Sequence, residues 1–243
     1  MTSLGARPLL DAVSGPATGV LAVEEAPNPW FDPSYVTDNW DSILAYTGEH
    51  VRLTVLAVVI GAALALPLAL LARRSRYLAA PVLALSTVVY TIPSLALFAL
   101  LVPFTGLSSN TVLVGLVAYS LVILVRNVLA GLQGVPPDVR EAARGMGLSG
   151  AQTFWRVELP LALPSFMAGL RIATVSTVAL TTVGVLVGHG GLGQLITGGF
   201  AANFYRAEIV TGAVGCVLLA LLADLALTGV ERALTPWTRA ARA

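Results

Sequence analysis

From Val51 onward the chain is a succession of apolar runs, at about 51–72, 79–102, 110–130, 162–187 and 208–230. Each is near the roughly 20 residues that carry an α-helix across a bilayer. Hydrocarbon offers no partner to a free backbone N–H or C=O, so such runs must be helical or shielded by neighbouring segments. The expected fold class is all-α integral membrane with about five transmembrane helices. Composition agrees where it bears on this: only 11% of the residues are charged, too few to cover a soluble surface. Every basic residue other than histidine is arginine. A Walker A loop needs lysine to reach the phosphates, so the chain is not itself a P-loop ATPase. Its single cysteine, Cys216, excludes an internal disulfide or a CxxC metal site.

The first 49 residues form a separate region, with acidic Asp11, Glu24, Glu25, Asp32, Asp38, Asp41 and Glu49 against one base, Arg7. Prolines 16, 27, 29 and 33 favour a largely irregular tail. The Trp30–Trp40 stretch could instead lie at a membrane interface, where amphipathic rings prefer to sit. The membrane-spanning body is expected over 50–232, with a polar loop at 131–160 and a short tail at 233–243. Orientation follows from arginine. Arg73, Arg74 and Arg76, then Arg126, Arg140, Arg144 and Arg156, then Arg232, Arg239 and Arg242 fall on one face if there are five spans. The excess of arginine in short loops puts that face in the cytoplasm. The N-terminus is then outside and the C-terminus inside, in a multi-pass protein of the cell membrane.

The polar loop has the pattern helix, glycine corner, helix, proline. Asp138 is placed to cap a helix, with Glu141 three residues on to complete a capping box. Gly147 suits the left-handed position that ends a helix. Ser149 with Gln152 forms a second box and starts a short helix, which Pro160 is expected to bring toward its end. Such a hairpin can receive a push from a soluble partner and pass it to the next span.

Glu141-Ala142-Ala143, Gly147 and the closing Val157-Glu158-Leu159-Pro160 resemble the cytoplasmic coupling motif of the inner-membrane permeases of ABC importers. The resemblance extends across about 50–230. Thr91-Ile92-Pro93-Ser94-Leu95-Ala96-Leu97, Arg126-Asn127 and Gly188-His189-Gly190-Gly191-Leu192-Gly193 look like the osmoprotectant branch, which imports glycine betaine, choline or carnitine. Tyr90 stands where that branch would have glutamine, and His189 where it would have a small residue. The resemblance implies a permease without catalytic residues, bound cofactor or metal. ATP and Mg belong to a partner pair of ATP-binding-cassette subunits. A second permease, identical or paralogous, and an extracytoplasmic binding protein complete the expected assembly. The resemblance assigns ATPase coupling to Glu141, Ala142, Ala143, Gly147, Leu159 and Pro160.

Other residues carry two readings each. Thr91, Pro93 and Ser94 break the second apolar run, either as a packing kink or as pore lining where irregular backbone meets solute. Gly188, His189, Gly190 and Gly191 form either an outer gate or a close-packed turn. Arg171 and Asp224 are charges inside spans, which usually face a bundle interior; Arg171 is a candidate for the translocation path, pairing or snorkelling. Together they raise an ion-coupled secondary transporter as an alternative, although the spans show no clear repeated halves. An ABC importer for another small solute, such as methionine, is a further alternative. Gly147-Leu148-Ser149-Gly150 also matches the nucleophile motif of intramembrane serine proteases. The histidines His50 and His189 are expected at the opposite face, a helix of about 25 residues or roughly 37 Å away, out of hydrogen-bond reach. A nucleic-acid-binding helix-turn-helix does not suit a charge-balanced hairpin between membrane spans, so no nucleic-acid partner is expected.

Overall fold

A computed structural model of the chain describes residues 28–237. Asp11, Glu24, Glu25, Arg7, Arg239 and Arg242 therefore lie outside the described residues. Among the described residues ten α-helices follow one another: α1 Pro33–Asp38, α2 Trp40–Arg74, α3 Arg76–Thr91, α4 Ser94–Thr105, α5 Ser109–Gln133, α6 Pro137–Gly145, α7 Gly150–Thr153, α8 Leu159–Val183, α9 Gly193–Ala201 and α10 Arg206–Leu234. A π-turn, Phe154–Glu158, joins α7 to α8, and a 3-10 turn, Gly184–Val187, follows α8.

Four helical stretches are long and apolar enough to cross a membrane, and the bent α3–α4 pair makes up to five. The second apolar run is thus no gently kinked span: α3 and α4 meet at 100° across Ile92–Pro93. Proline cannot donate a backbone hydrogen bond and disfavours helical geometry in the residue before it, and Ile92 is accordingly extended (φ −67°, ψ 127°).

The core is built by α2, α5 and α8. Along α2, Ala57, Gly61, Ala65 and Ala69 recur every four residues and are all buried. Small side chains at that spacing let helix backbones approach closely, which drives packing in lipid more than hydrophobicity does. Near one end Leu53 and Ala57 meet Val112, Leu116, Phe98 and Val187. Near the other, Ala69 and Ala72 meet Val128, Leu129, Leu132 and Ala162. Hence α2 and α5 run parallel and α8 antiparallel to both. Three hydroxyls of α8 are satisfied within their own helix, Thr174, Thr177 and Thr181 donating to the carbonyls of Leu170, Ala173 and Thr177.

From residue 28 to 49 the N-terminal region is largely helical, where its composition suggests an irregular tail. A helix of 35 residues such as α2 is about 52 Å long at 1.5 Å per residue, so the helix that enters the first span already begins at Trp40. Asp32 caps α1, accepting from Ser34 N at 3.0 Å. Asn28 is clipped to the start of α10, donating to the Phe204 carbonyl and accepting from Arg206 N, both at 2.9 Å. The Arg206 guanidinium lies 4.9 Å from the Trp30 ring, and Tyr35 meets Tyr205 edge-on. Burial, with the Glu208 carboxylate alongside, pushes the Tyr35 phenol up to about 12, so it stays neutral at any physiological pH.

Candidate functional site

The polar hairpin is built by two different helix ends. α6 starts with proline at its first turn, and Asp138 makes no capping hydrogen bond. The expected capping box at Asp138–Glu141 does not form, because Pro137 already begins the helix and places Asp138 inside its first turn. There its charge complements the helix dipole instead. The far end of α6 matches expectation. Gly147 has φ +82°, its N–H donates to Arg144 O at 2.9 Å, and the Leu148 N–H donates to Ala143 O at 3.1 Å. This is the double-bonded Schellman stop. A Cβ on Gly147 would meet no atom within 4 Å, so backbone conformation and not space demands glycine there. Ser149 then forms the reciprocal box with Gln152, at 3.3 and 2.8 Å.

Pro160 does not close the second helix. It stands in the first turn of α8, and α7, the π-turn and α8 form one helical path from Gly150 to Val187. A proline in mid-helix removes one N–H bond and crowds the carbonyl four residues back. The chain meets this by widening to a π-turn just before it, with the Leu159 N–H bonded to Phe154 O. The second arm of the hairpin is therefore a continuation of the fourth membrane helix.

Glu141 and Ala142 face outward, whereas Ala143 is fully buried and anchors the hairpin. Val139, Ala142 and Met146 share one exposed face of α6, Met146 at 72%, and Trp155 is exposed nearby. They make an exposed apolar stripe on an otherwise polar hairpin. Val139, Met146 and Trp155 were findable in the sequence from their helical spacing and apolar character, but the motif drew attention to the alanines. Leu159 and Pro160 line an apolar cavity of about 360 Å³ beneath the hairpin, together with Leu132, Phe166 and Trp237. They sit behind the exposed face, not on it.

At the same end, Glu158 is 4% exposed and takes a two-pronged ion pair from Arg73, at 2.6 and 2.7 Å. Arg140 Nε approaches it at 3.0 Å. In the sequence Glu158 stands out only as one residue of the closing Val157-Glu158-Leu159-Pro160. Arg74, Arg144, Arg156 and Arg232, in the last turns of their helical segments, add to the basic character of this end.

Thr91 and Pro93 are exposed at the α3–α4 break and Ser94 is half-buried. The Thr91 hydroxyl donates to Val88 O at 2.7 Å. The Ile92 carbonyl freed by the break accepts from the Tyr119 hydroxyl, whose ring meets Tyr90 edge-on at 6.0 Å. Arg126 donates to Thr87 at 2.6 Å. Arg171 makes a fork-to-fork pair with Asp224 at 2.8 and 2.9 Å and reaches Glu231 at 3.5 Å, so its charge is neutralised by the last helix.

The glycine-rich segment lies at the opposite end. Gly190 and Gly191 are buried and Gly188 is exposed. A Cβ on Gly191 (φ +51°) would lie 2.6–2.8 Å from His50 Cβ, Cα and N. His50 is itself fully buried. Its Nε2 contacts Val178 O at 3.0 Å and its Nδ1 accepts from Leu192 N at 3.3 Å, so the ring is the neutral Nε2–H tautomer. His189 Nδ1 pairs with Glu49 at 2.9 Å. The close-packed turn accounts for this geometry. Gly191→Val is expected to lower the thermal melting of the purified subunit, since overpacking against backbone costs about 1–3 kcal/mol; unchanged melting would contradict the contact. Ser149 caps α7 at the other end of the bundle from both histidines, which removes the protease reading.

The described residues thus form a bundle of membrane-length helices with a polar hairpin, bearing an exposed apolar stripe, at one end. The chain belongs to the family of binding-protein-dependent transport system inner membrane components, whose model matches residues 57–240. It is 38% identical, over 84% of this chain and 89% of the other, to the glycine betaine/carnitine/choline transport system permease protein OpuCD of Bacillus subtilis (strain 168). It is 36% identical, over 83% and 96%, to the osmoprotectant import permease protein OsmW of Salmonella typhimurium. Among solved structures it is similar to a chain of the MetNI methionine ABC transporter in an inward-facing conformation, with TM-score 0.73 and 25% identity over 79% of this chain and 96% of that one. The protein is a multi-pass permease subunit of an ABC importer, not an enzyme. Such a system works with a separate ATPase and a substrate-binding protein.

Proposed function

We propose that this subunit imports quaternary-ammonium osmoprotectants of the glycine betaine, choline and carnitine type, as one of two permeases sharing a pore. The ATPase pair, which holds ATP and Mg, docks on the α6–α7 hairpin, with Glu141, Ala142, Ala143 and Gly147 in the coupling role. Leu159 and Pro160 support the hairpin from behind. The observation that carries the coupling assignment is the exposed Val139–Ala142–Met146 face on a hairpin fused to the fourth membrane helix. The substrate class rests on the relatives' similarity across most of the chain.

The hairpin end lies in the cytoplasm and the acidic N-terminal region outside. Arg73, Arg74, Arg140, Arg144, Arg156 and Arg232 gathered toward one end support that orientation. The binding protein docks at the end that carries Glu49 and His189, where Gly188 to Gly191 brace the outer mouth. Thr91, Pro93 and Ser94, beside Tyr90 and Tyr119, border the translocation path. Arg171 braces its fourth helix against α10.

Uptake of labelled glycine betaine, choline and carnitine is the test, in cells expressing this subunit with its ATPase, second permease and binding protein, and in cells lacking only this subunit. Subunit-dependent uptake of at least one is expected. No uptake of any, with the ATPase still co-purifying, would keep the importer and discard the substrate class. Met146→Glu is expected to reduce ATPase co-purification severalfold, because a carboxylate in the docking stripe is desolvated without a partner. Undiminished co-purification would remove this face from the interface.

A further inference from the structure

Glu158 occupies a position that packing alone does not explain. It is the last residue of the π-turn, and the extra residue in that turn rotates its side chain inward, to 5% exposure, where a carboxylate must be paired. Its partners come from two other elements. Arg73 lies in the last turn of α2 and grips both carboxylate oxygens, at 2.6 and 2.7 Å. Arg140 lies on α6 immediately before Glu141, with Nε 3.0 Å from Oε1 as a charge contact that lacks hydrogen-bond alignment. Arg140 also donates to the Leu132 carbonyl, in the last turn of α5, at 2.6 Å. The carboxylate thereby joins α6, through Arg140, to the end of the first long membrane helix at the root of the fourth, while Arg140 itself reaches the end of the third. A two-pronged guanidinium pair fixes direction as well as distance. A buried ion pair is weak as a source of stability but strong as a geometric constraint.

We propose that Glu158 is the positioning residue that transmits hairpin displacement to the first membrane helix. The inference rests on the hairpin being the ATPase docking surface. When the docked ATPases move α6, Arg140 carries Glu158, and Glu158 carries Arg73 and the end of α2, so that α2 and α8 move as one unit. Without the carboxylate, α6 moves but α2 is no longer held to it, and two guanidinium groups are left facing each other.

The experiment uses the complete importer, reconstituted in proteoliposomes, with ATP hydrolysis and solute uptake measured on the same preparation. Glu158→Gln keeps the side-chain shape and removes the charge. It is expected to retain the ATPase at wild-type stoichiometry and to keep hydrolysing ATP, while solute moved per ATP falls roughly tenfold, within the range of a coupling free energy. Glu158→Asp is expected to restore part of that ratio, a rescue that a purely structural role does not predict. Arg73→Gln, which leaves Arg140 to neutralise Glu158, is expected to lower the same ratio and serves should Glu158→Gln fold poorly. A wild-type transport-to-hydrolysis ratio in Glu158→Gln or Arg73→Gln overturns the proposal, and so does parallel loss of the ATPase subunit with transport. Failure of the underlying docking assignment shows separately, as full ATPase retention by Met146→Glu.

Discussion

Gly147→Val is expected to abolish ATP-driven uptake while the subunit still inserts in the membrane at normal abundance. The backbone at 147 holds φ +82°, a region where a Cβ costs about 1–2 kcal/mol and a β-branched side chain more. At that cost the folded-back hairpin becomes roughly tenfold less populated or worse. The two bonds that close α6, from Gly147 and Leu148 to Arg144 and Ala143, depend on that conformation. Losing them releases the angle between the docking face of α6 and the helical path that begins at Gly150. The space around the position is open, so the defect is one of conformation and the bundle is untouched. Gly147→Asn supplies the control. Asparagine enters the left-handed region far more readily than valine, and it should retain much of the transport that valine loses. Normal uptake by the valine variant, or equal damage by both, would sink the coupling role of this corner.

Removing one member of the Arg171–Asp224 pair is expected to have the second large effect, and at a different stage. Both residues lie within membrane helices, and each satisfies the other through two hydrogen bonds. Arg171→Leu leaves Asp224 and Glu231 without the cation that bridges them, and an unpaired ionised group inside a membrane helix is costly. The expected result is a fall in membrane-integrated yield and in melting temperature, not a selective loss of coupling. Exchanging the charges, Arg171→Asp with Asp224→Arg, should recover part of the yield. A single variant with full yield would show that the pair does not lock α8 to α10.

The sequence made the membrane architecture legible because apolar length is a strong signal, set by bilayer thickness and independent of neighbours. The hairpin was legible for a similar reason: the Ser149–Gln152 box and the Gly147 corner are local, and each forms as its residues dictate. Two misplacements, Asp138 as a cap and Pro160 as a helix end, both come from proline. Pro137 opens α6 as a start signal, whereas Pro160 is carried inside a continuous helical path by the π-turn that precedes it. The 100° bend at Ile92–Pro93 could be located from the sequence but not measured, since its angle is set by how α4 packs Phe98 against α5. The Ala57-Gly61-Ala65-Ala69 stripe was open to view and is easily missed, because apolar residues on every side of the helix hide the one face that packs. Glu158 was legible only as a lone acid. What gives it meaning is the arrival of Arg73 from 85 residues away, and nothing local encodes that meeting. The same holds for His189 and Glu49, 140 residues apart.

The most direct test of the account is where the ATPase touches this subunit. The native thiol, Cys216, is half-buried in α10, so a Cys216→Ala background leaves a chain without cysteine. Met146→Cys in that background, paired with single cysteines along the ATPase surface in the assembled importer, should give a disulfide-linked permease–ATPase adduct whose yield changes when ATP is bound. Phe204→Cys, at the opposite end of the bundle, should give none with the ATPase. Adducts from Phe204→Cys and none from Met146→Cys would contradict both the docking surface and the orientation built on it.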